Sequence, residues 1–201
     1  MNTFLIADTH LNHASIMKHC RNRPWLRPGD IDPNGYWVSP EIREQRVQEM
    51  NEGLIDNWNR TVSRKDITII DGDFAWKEHR KFIQRLNGKK ILIIGSHDHM
   101  PQESLQQFSE VHQLLMRKIH KQPFFIFHWP CQTWQGIYYG TIHVHGHCHG
   151  RLPKREGVRM IDVGVDTEKS GFCPINVDSI IEDMLKIPLR RNYEQPDEDE
   201  D

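Results

Sequence analysis

Short apolar runs in this chain repeatedly end in aspartate or histidine, and that placement limits both its fold and its chemistry. Residues 3–7 run into Asp8 and His10, and residues 67–70 into Asp71-Gly72-Asp73. Residues 91–94 stop at Gly95-Ser96-His97-Asp98, and residues 124–127 at His128. Residues 141–144 lead to Gly146-His147-Cys148-His149-Gly150, and residues 158–163 follow after a basic turn. Apolar runs of this length suit strands buried on both faces. Only His79, His112 and His120 of the 13 histidines fall outside the clusters near these ends and the chain start. Histidines that served solubility would scatter.

Helical patterns lie between the runs. Ser39 as N-cap and Pro40 in the first turn open a helix, and Ile42, Val47, Met50, Leu54 and Trp58 trace its apolar stripe. A second is expected over 76–87, closed by Gly88, with shorter ones over 101–108 and 178–186, the last capped by Asp178 and stopped by Pro188. Strand–helix–strand order in mid-chain implies parallel pairing in an α/β core. The later strands lack helices between them, so a second, partly antiparallel sheet is expected. Residues 1–190 read as a single domain, with no internal repeat. One long connection, 21–38, carries Arg21, Arg23, Arg27 and two tryptophans, and reads as a packed lid whose arginines could meet an anion.

In an open α/β sheet the carboxyl ends of the strands face one crevice, so Asp8, His10, Asp73, His97, Asp98, His128, His147 and His149 converge there. This imidazole and carboxylate set, without thiolate, suits Mn, Fe or Zn rather than Ca or a structural zinc finger. It exceeds the needs of one ion, and two ions bridged by a carboxylate would use it to activate a water. Each signal alone is weak; their order and their strand-end positions together make the site. Cys148 reads as a small side chain packed beside it. Trp58 and Trp76 read as core or groove lining.

Composition excludes several other classes. No stretch of 18 or more apolar residues is present, so no segment reads as a membrane span. The N-terminus has no signal-like apolar run, and the four cysteines form no CxxC pair, which fits free thiols in a cytoplasmic location. The last eight residues hold six carboxylates and no Lys or Arg, so 191–201 reads as a solvated acidic tail. Without those eight residues the formal charge moves from −2 to +4, with 26 basic against 22 acidic residues. No basic stripe marks a dedicated nucleic-acid-binding patch.

Asp8-Thr9-His10, Gly72-Asp73, Gly95-Ser96-His97-Asp98, His128 and Gly146-His147-Cys148-His149, in this order, resemble the calcineurin-like metallophosphoesterases, specifically their small bacterial and phage members. Residues 162–166 are similar to segments that follow in such members. The resemblance implies a four-layer αββα sandwich of two mixed β-sheets flanked by helices, with a dinuclear metal site at the strand carboxyl ends. Asp8, His10 and His149 would hold one metal, Asp73 would bridge, and His128 and His147 would hold the other. His97, supported by Asp98, would contact the phosphate or protonate the leaving group. Mn2+ is the first expectation for both ions, with Fe, Zn or Ni alternatives. The implied activity is hydrolysis of a phosphate ester, first of all a phosphodiester such as a cyclic nucleotide.

The chain departs from that pattern at Ser96, where the family carries Asn. A serine hydroxyl is shorter and a weaker neutral ligand, meeting an ion directly or through a water, so the second metal is expected to bind less tightly. The same change supports an alternative: a weakly active or metal-depleted member that serves as a protein-interaction scaffold. A Ser96-His97-Asp98 triad is rejected, because neighbours on a strand-end turn point different ways and no Gly-x-Ser-x-Gly elbow is present.

Overall fold

Two mixed β-sheets, packed face to face and flanked by helices, make up the computed structural model, which describes residues 1–189. The acidic segment 191–201 lies outside the described residues. The chain runs β1 (Thr3–Ile6), α1 (Ile16–His19), α2 (Pro40–Thr61), β2 (Ile67–Asp71), α3 (His79–Arg85), β3 (Lys89–Ile93), α4 (Gln102–Leu105) and β4 (Glu110–His112). It continues through β5 (Leu115–Ile119), β6 (Gln122–Ile126), β7 (Ile142–His145), β8 (Met160–Asp162), β9 (Ile175–Asn176) and α5 (Val177–Leu185).

The first sheet has the order β4-β3-β2-β1-β9, with β1 to β4 parallel and β9 antiparallel to β1. The second has the order β5-β6-β7-β8, where only β5 and β6 pair antiparallel. Both faces of the first sheet are buried, which explains the apolar runs in its central strands. Phe4, Ile6, Ile70 and Leu92 point to Met50, Leu54, Ile55 and Trp58 of α2 and to Phe82 and Ile83 of α3. Leu5, Ile69, Ile91 and Ile93 point the other way, onto Phe124, Ile126, Ile142 and Val144 of the second sheet. Val177, Ile180 and Met184 of α5 join that inter-sheet core. Behind the second sheet, His143 is covered by the segment before β7: Trp134 lies 5.0 Å from its ring and the Cys131 amide donates to its Nε2 at 3.1 Å.

The sheets are also joined edge to edge at their carboxyl ends. The Ala7 amide donates to Val163 O and the Val165 amide to Ala7 O, each at 2.9 Å, so β1 and the end of β8 run on together. This junction brings both sets of strand ends to one place.

The Ser39 cap forms as read, its Oγ accepting from the Ile42 amide at 3.2 Å. Several details differ, among them α4, which ends at Leu105 rather than 108, and α3, which ends at Arg85 with Leu86 rather than Gly88 closing it. The second helix starts at His79 rather than 76, because Lys77 and Glu78 take left-handed backbone (φ 99° and 49°) that no helix continues through. The last helix starts one residue earlier than expected and is capped by Asn176, whose side chain accepts from the Asp178 amide at 2.8 Å; Asp178 is not the cap. Strands β4, β5 and β9 were not apparent in the sequence. The long connection 21–38 is held onto α2: Asp30 receives Arg46 at 2.7 Å in a buried pair, and Trp25 lies over Gly53 with no room for a Cβ there.

Candidate metal centre

Every residue named for the site leaves a strand end. Asp8 and His10 follow β1, Asp73 follows β2, Ser96 and His97 follow β3, His128 follows β6, and His147 and His149 follow β7. These strands are parallel within their sheets, so all of the turns open on the same edge. The turns are unusual in backbone. Asp8 (φ 58°), His10 (47°), Asp73 (53°), His147 (66°) and His149 (50°) all adopt the left-handed region. Such residues cost roughly 1 kcal/mol or more each and persist where the surroundings over-determine them. Two glycines show how crowded the surroundings are. A Cβ on Gly72 would sit 2.3 Å from His128 Nδ1, and one on Gly146 would sit 2.8 Å from Asp8 Oδ2.

The expected ligand atoms fall into two groups, each close enough to hold an ion: Asp8, His10 and His149 in one, and Asp73, His128 and His147 in the other; a third such group, Cys20, His149 and Asp166, lies behind the first. Asp73 Oδ2 lies between the first two, 3.6 Å from His10 Nε2 and 3.4 Å from His128 Nε2. Both of these Nε2 atoms are buried without a hydrogen-bond partner. Their Nδ1 atoms are engaged, His128 with Asp71 O at 2.7 Å and His10 with His13 Nδ1 at 3.3 Å. His149 Nδ1 meets Asp166 Oδ2 at 2.8 Å. Pinning one ring nitrogen while aiming the other into a carboxylate cage is how metal-ligating histidines are set. An orphaned imidazole nitrogen is costly to bury unless something binds it, so the residues present fit a pair of cations.

The carboxylates are fixed as firmly. Asp8 accepts from the His147 amide at 2.9 Å, and Asp73 Oδ1 from the His97 amide at 2.7 Å. Ser96 Oγ donates to Asp73 at 3.1 and 3.3 Å. Burial raises Asp8 to about 7. Burial also opposes ionisation of Asp73, yet the His128 and His10 imidazoles hold it below the usual carboxylate range. Burial alone would lower His128 and His149, but Asp73 and Asp8 bring His128 up to about 9, and Asp166 and Cys20 bring His149 up to about 10. Burial lowers His10 and His147 instead, so the cage favours protons on two of its four imidazoles and leaves the other two neutral, the form in which an imidazole binds a cation.

Two roles read from the sequence change. Asp98 does not meet the His97 ring; its carboxylate accepts the amides of Asp73 (2.8 Å), Phe74 (2.9 Å) and Gly95 (2.8 Å) and so ties two metal-site turns together. Burial nevertheless raises its pKa. Arg23 is no anion clamp, because its side chain is fully buried. Nε and Nη2 grip Asp166 at 2.8 and 2.9 Å, and Nη2 and Nη1 donate to the carbonyls of Asp8 (2.8 Å) and Thr9 (3.1 Å). Arg27 pairs with Glu49 at 2.8 Å on α2, and Arg21 is exposed. His97 is exposed at the rim, its ring 5.5 Å from that of His10.

Sequence reasoning missed Asp166 as the carboxylate behind His149, with Arg23 behind it in turn. It also missed Asp71, whose two buried carboxylate oxygens have no partner and whose pKa burial raises well above the ordinary value. Asp166 closes the 162–166 segment already noted, so a signal existed. No helix among the described residues is long and apolar enough to cross a membrane.

No protein-family model matches the chain. It is 30% identical to the uncharacterized protein MJ1445 of Methanocaldococcus jannaschii, over 89% of this chain and 88% of that one. The chain belongs to the family of that archaeal protein. Among solved structures, a protein of unknown function from Aquifex aeolicus, AQ665, shares the fold, with a TM-score of 0.61 and 21% identity over 90% of this chain and 98% of that one. A phosphoesterase from E. coli, Yfce, matches at a TM-score of only 0.37 and 13% identity, over 82% of this chain and 78% of that one, a likeness too slight to argue from.

Proposed function

We propose that the protein is a metal-dependent phosphoesterase of the calcineurin-like type, acting on phosphodiesters at a dinuclear centre. The observation that carries this reading is the pair of orphaned Nε2 atoms, His10 and His128, that face Asp73 Oδ2 from opposite ligand groups. Asp8, His10 and His149 would hold one ion and His128 and His147 the other, with Asp73 available to both. When bound, divalent ions of the Mn2+ kind supply Lewis acidity toward phosphoryl oxygens and lower the pKa of a water toward about 7.

The chain supplies the rest. The His97 amide anchors its turn to Asp73 Oδ1, which leaves the exposed imidazole at the rim to contact a phosphoryl oxygen or give a proton to the departing ester oxygen. Asp98 keeps the Asp73 and Gly95 turns in register, so carboxylate and imidazole stay at fixed separation. Arg23 and Asp166 orient His149 and hold the Asp8 carbonyl.

Hydrolysis of bis-p-nitrophenyl phosphate, with and without Mn2+ after chelator treatment, tests the reading. Turnover that needs the metal supports it; metal-loaded protein without turnover on diesters or monoesters overturns it. One observation favours a second reading, a member with a weakened second metal and a scaffolding role. Ser96 spends its hydroxyl hydrogen on Asp73 and offers no carboxamide oxygen.

A further inference from the structure

Six tryptophans are present, and Trp76 is the one that stands exposed, at 43%; the others are buried or half-buried. Single exposed apolar side chains are ordinary on a protein surface; this one is set apart by its place beside the charged cage. The chain goes to some length to put it there. The Trp76 amide is tied to Leu11 O at 2.7 Å, on the turn that carries His10, and the next two residues, Lys77 and Glu78, both take left-handed backbone. One face of the indole is stacked on His13, with centroids 4.9 Å apart and planes 14° from parallel. His13 in turn meets His10 through the Nδ1 contact. The His97 ring lies 6.2 Å from the indole and 5.9 Å from His13. A flat aromatic shelf therefore begins where the imidazole expected at the departing oxygen ends.

We propose that Trp76, backed by His13, is a subsite for a planar aromatic group attached to the scissile phosphate, so that the substrates are aryl or nucleoside phosphate esters rather than alkyl ones. This rests on the phosphoesterase reading and names its substrate class. A phosphoryl group held at the metal cage reaches His97, and a ring carried on the departing oxygen, directly or through a sugar, extends toward the indole. Stacking on an aromatic face is available to any planar ring, which makes the subsite selective for flatness and tolerant of sequence or substituent.

Non-hydrolysable phosphonates of equal charge separate the shelf from the cage. Calorimetric titration of the Mn2+-loaded protein with benzylphosphonate and with ethylphosphonate, in which a methylene stands for the ester oxygen, should show the phenyl-bearing compound binding about tenfold tighter, within the range that base–aromatic stacking supplies. In Trp76→Ala that ratio should fall to within about twofold, and Trp76→Phe should restore most of it; the position is exposed, so the fold tolerates all three side chains. Adenosine monophosphate against ribose 5-phosphate identifies the source of the ring. An advantage lost in Trp76→Ala assigns a nucleoside ester, and an advantage confined to the phenyl pair assigns a small aryl ester. Equal affinities in the wild type, or a ratio that survives Trp76→Ala, overturn the subsite while leaving the phosphoesterase intact. If neither phosphonate binds, both readings fall.

Discussion

Asp8, His10 and His149 stand on a buttressed foundation, whereas in the group of Asp73, His128 and His147 two ligands are equally buried but His147 is exposed and Ser96 is the neighbour. In the first group Asp8 and His10 are buried, and a fully buried Arg23–Asp166 pair braces His149 and the Asp8 carbonyl from behind. In the second group His147 is exposed, and the residue at the expected asparagine position donates to Asp73 instead of presenting an oxygen. Two ligand sets of nearly equal composition thus differ in what stands behind them. Affinity should follow that support, with the first ion held more tightly than the second.

Several variants break or sharpen this contrast. Asp73→Ala removes the carboxylate that both groups face and should abolish turnover together with most bound metal, read by elemental analysis and diester hydrolysis side by side. Normal turnover would remove Asp73 from the shared position. His97→Ala should lower kcat by about 10²–10⁴-fold, the range for a lost proton-transfer group, while both ions stay bound. Loss of metal in that variant would make His97 a ligand. Asp166→Asn should weaken the first ion by about 10–100-fold and leave the second almost untouched, inverting the order of the sites. The same variant strands Arg23 as a buried charge, so stability should fall by roughly 3–5 kcal/mol in thermal or denaturant unfolding. Ser96→Asn acts on the other side of the comparison and should tighten the second ion several-fold; unchanged affinity would acquit Ser96.

The smallest effect is a control at the opposite end of the sheet. Amide hydrogen bonds from Asn2 (2.7 Å) and Ser63 (2.9 Å), with the Ser63 side chain, bring Asp66 down to about 2. A depressed carboxylate stabilises the fold above its unfolded pKa, and that contribution is lost as pH falls from about 4 to about 2. Asp66→Asn should flatten this part of the acid-unfolding curve without altering metal binding. A changed Mn2+ affinity would show that the two ends of the sheet are coupled.

The central parallel strands were legible because burial on both faces makes them mostly apolar, and the site was legible because its ligands sit where those strands stop. Strand β5 escaped notice because Arg117 and Lys118 interrupt it at a sheet edge, where one side meets solvent, and β9 is only two residues long. Arg23 was misassigned for a physical reason: arginine is seldom fully buried, and one in an arginine-rich loop reads as a surface cation until its partner is known. That partner, Asp166, lies 143 residues away. Asp98 was misassigned through adjacency, since a residue next to His97 on a tight turn can only point elsewhere, in this case to three backbone amides.

Calorimetric titration of chelator-treated protein with Mn2+ tests the central claim most directly, with stoichiometry checked by elemental analysis. Two ions per chain, bound in a tight step and a weaker one, with Asp166→Asn weakening the first and Ser96→Asn strengthening the second, is the result expected from two unequally supported clusters. A single ion, no ion, or two ions of equal affinity that ignore both substitutions would contradict it.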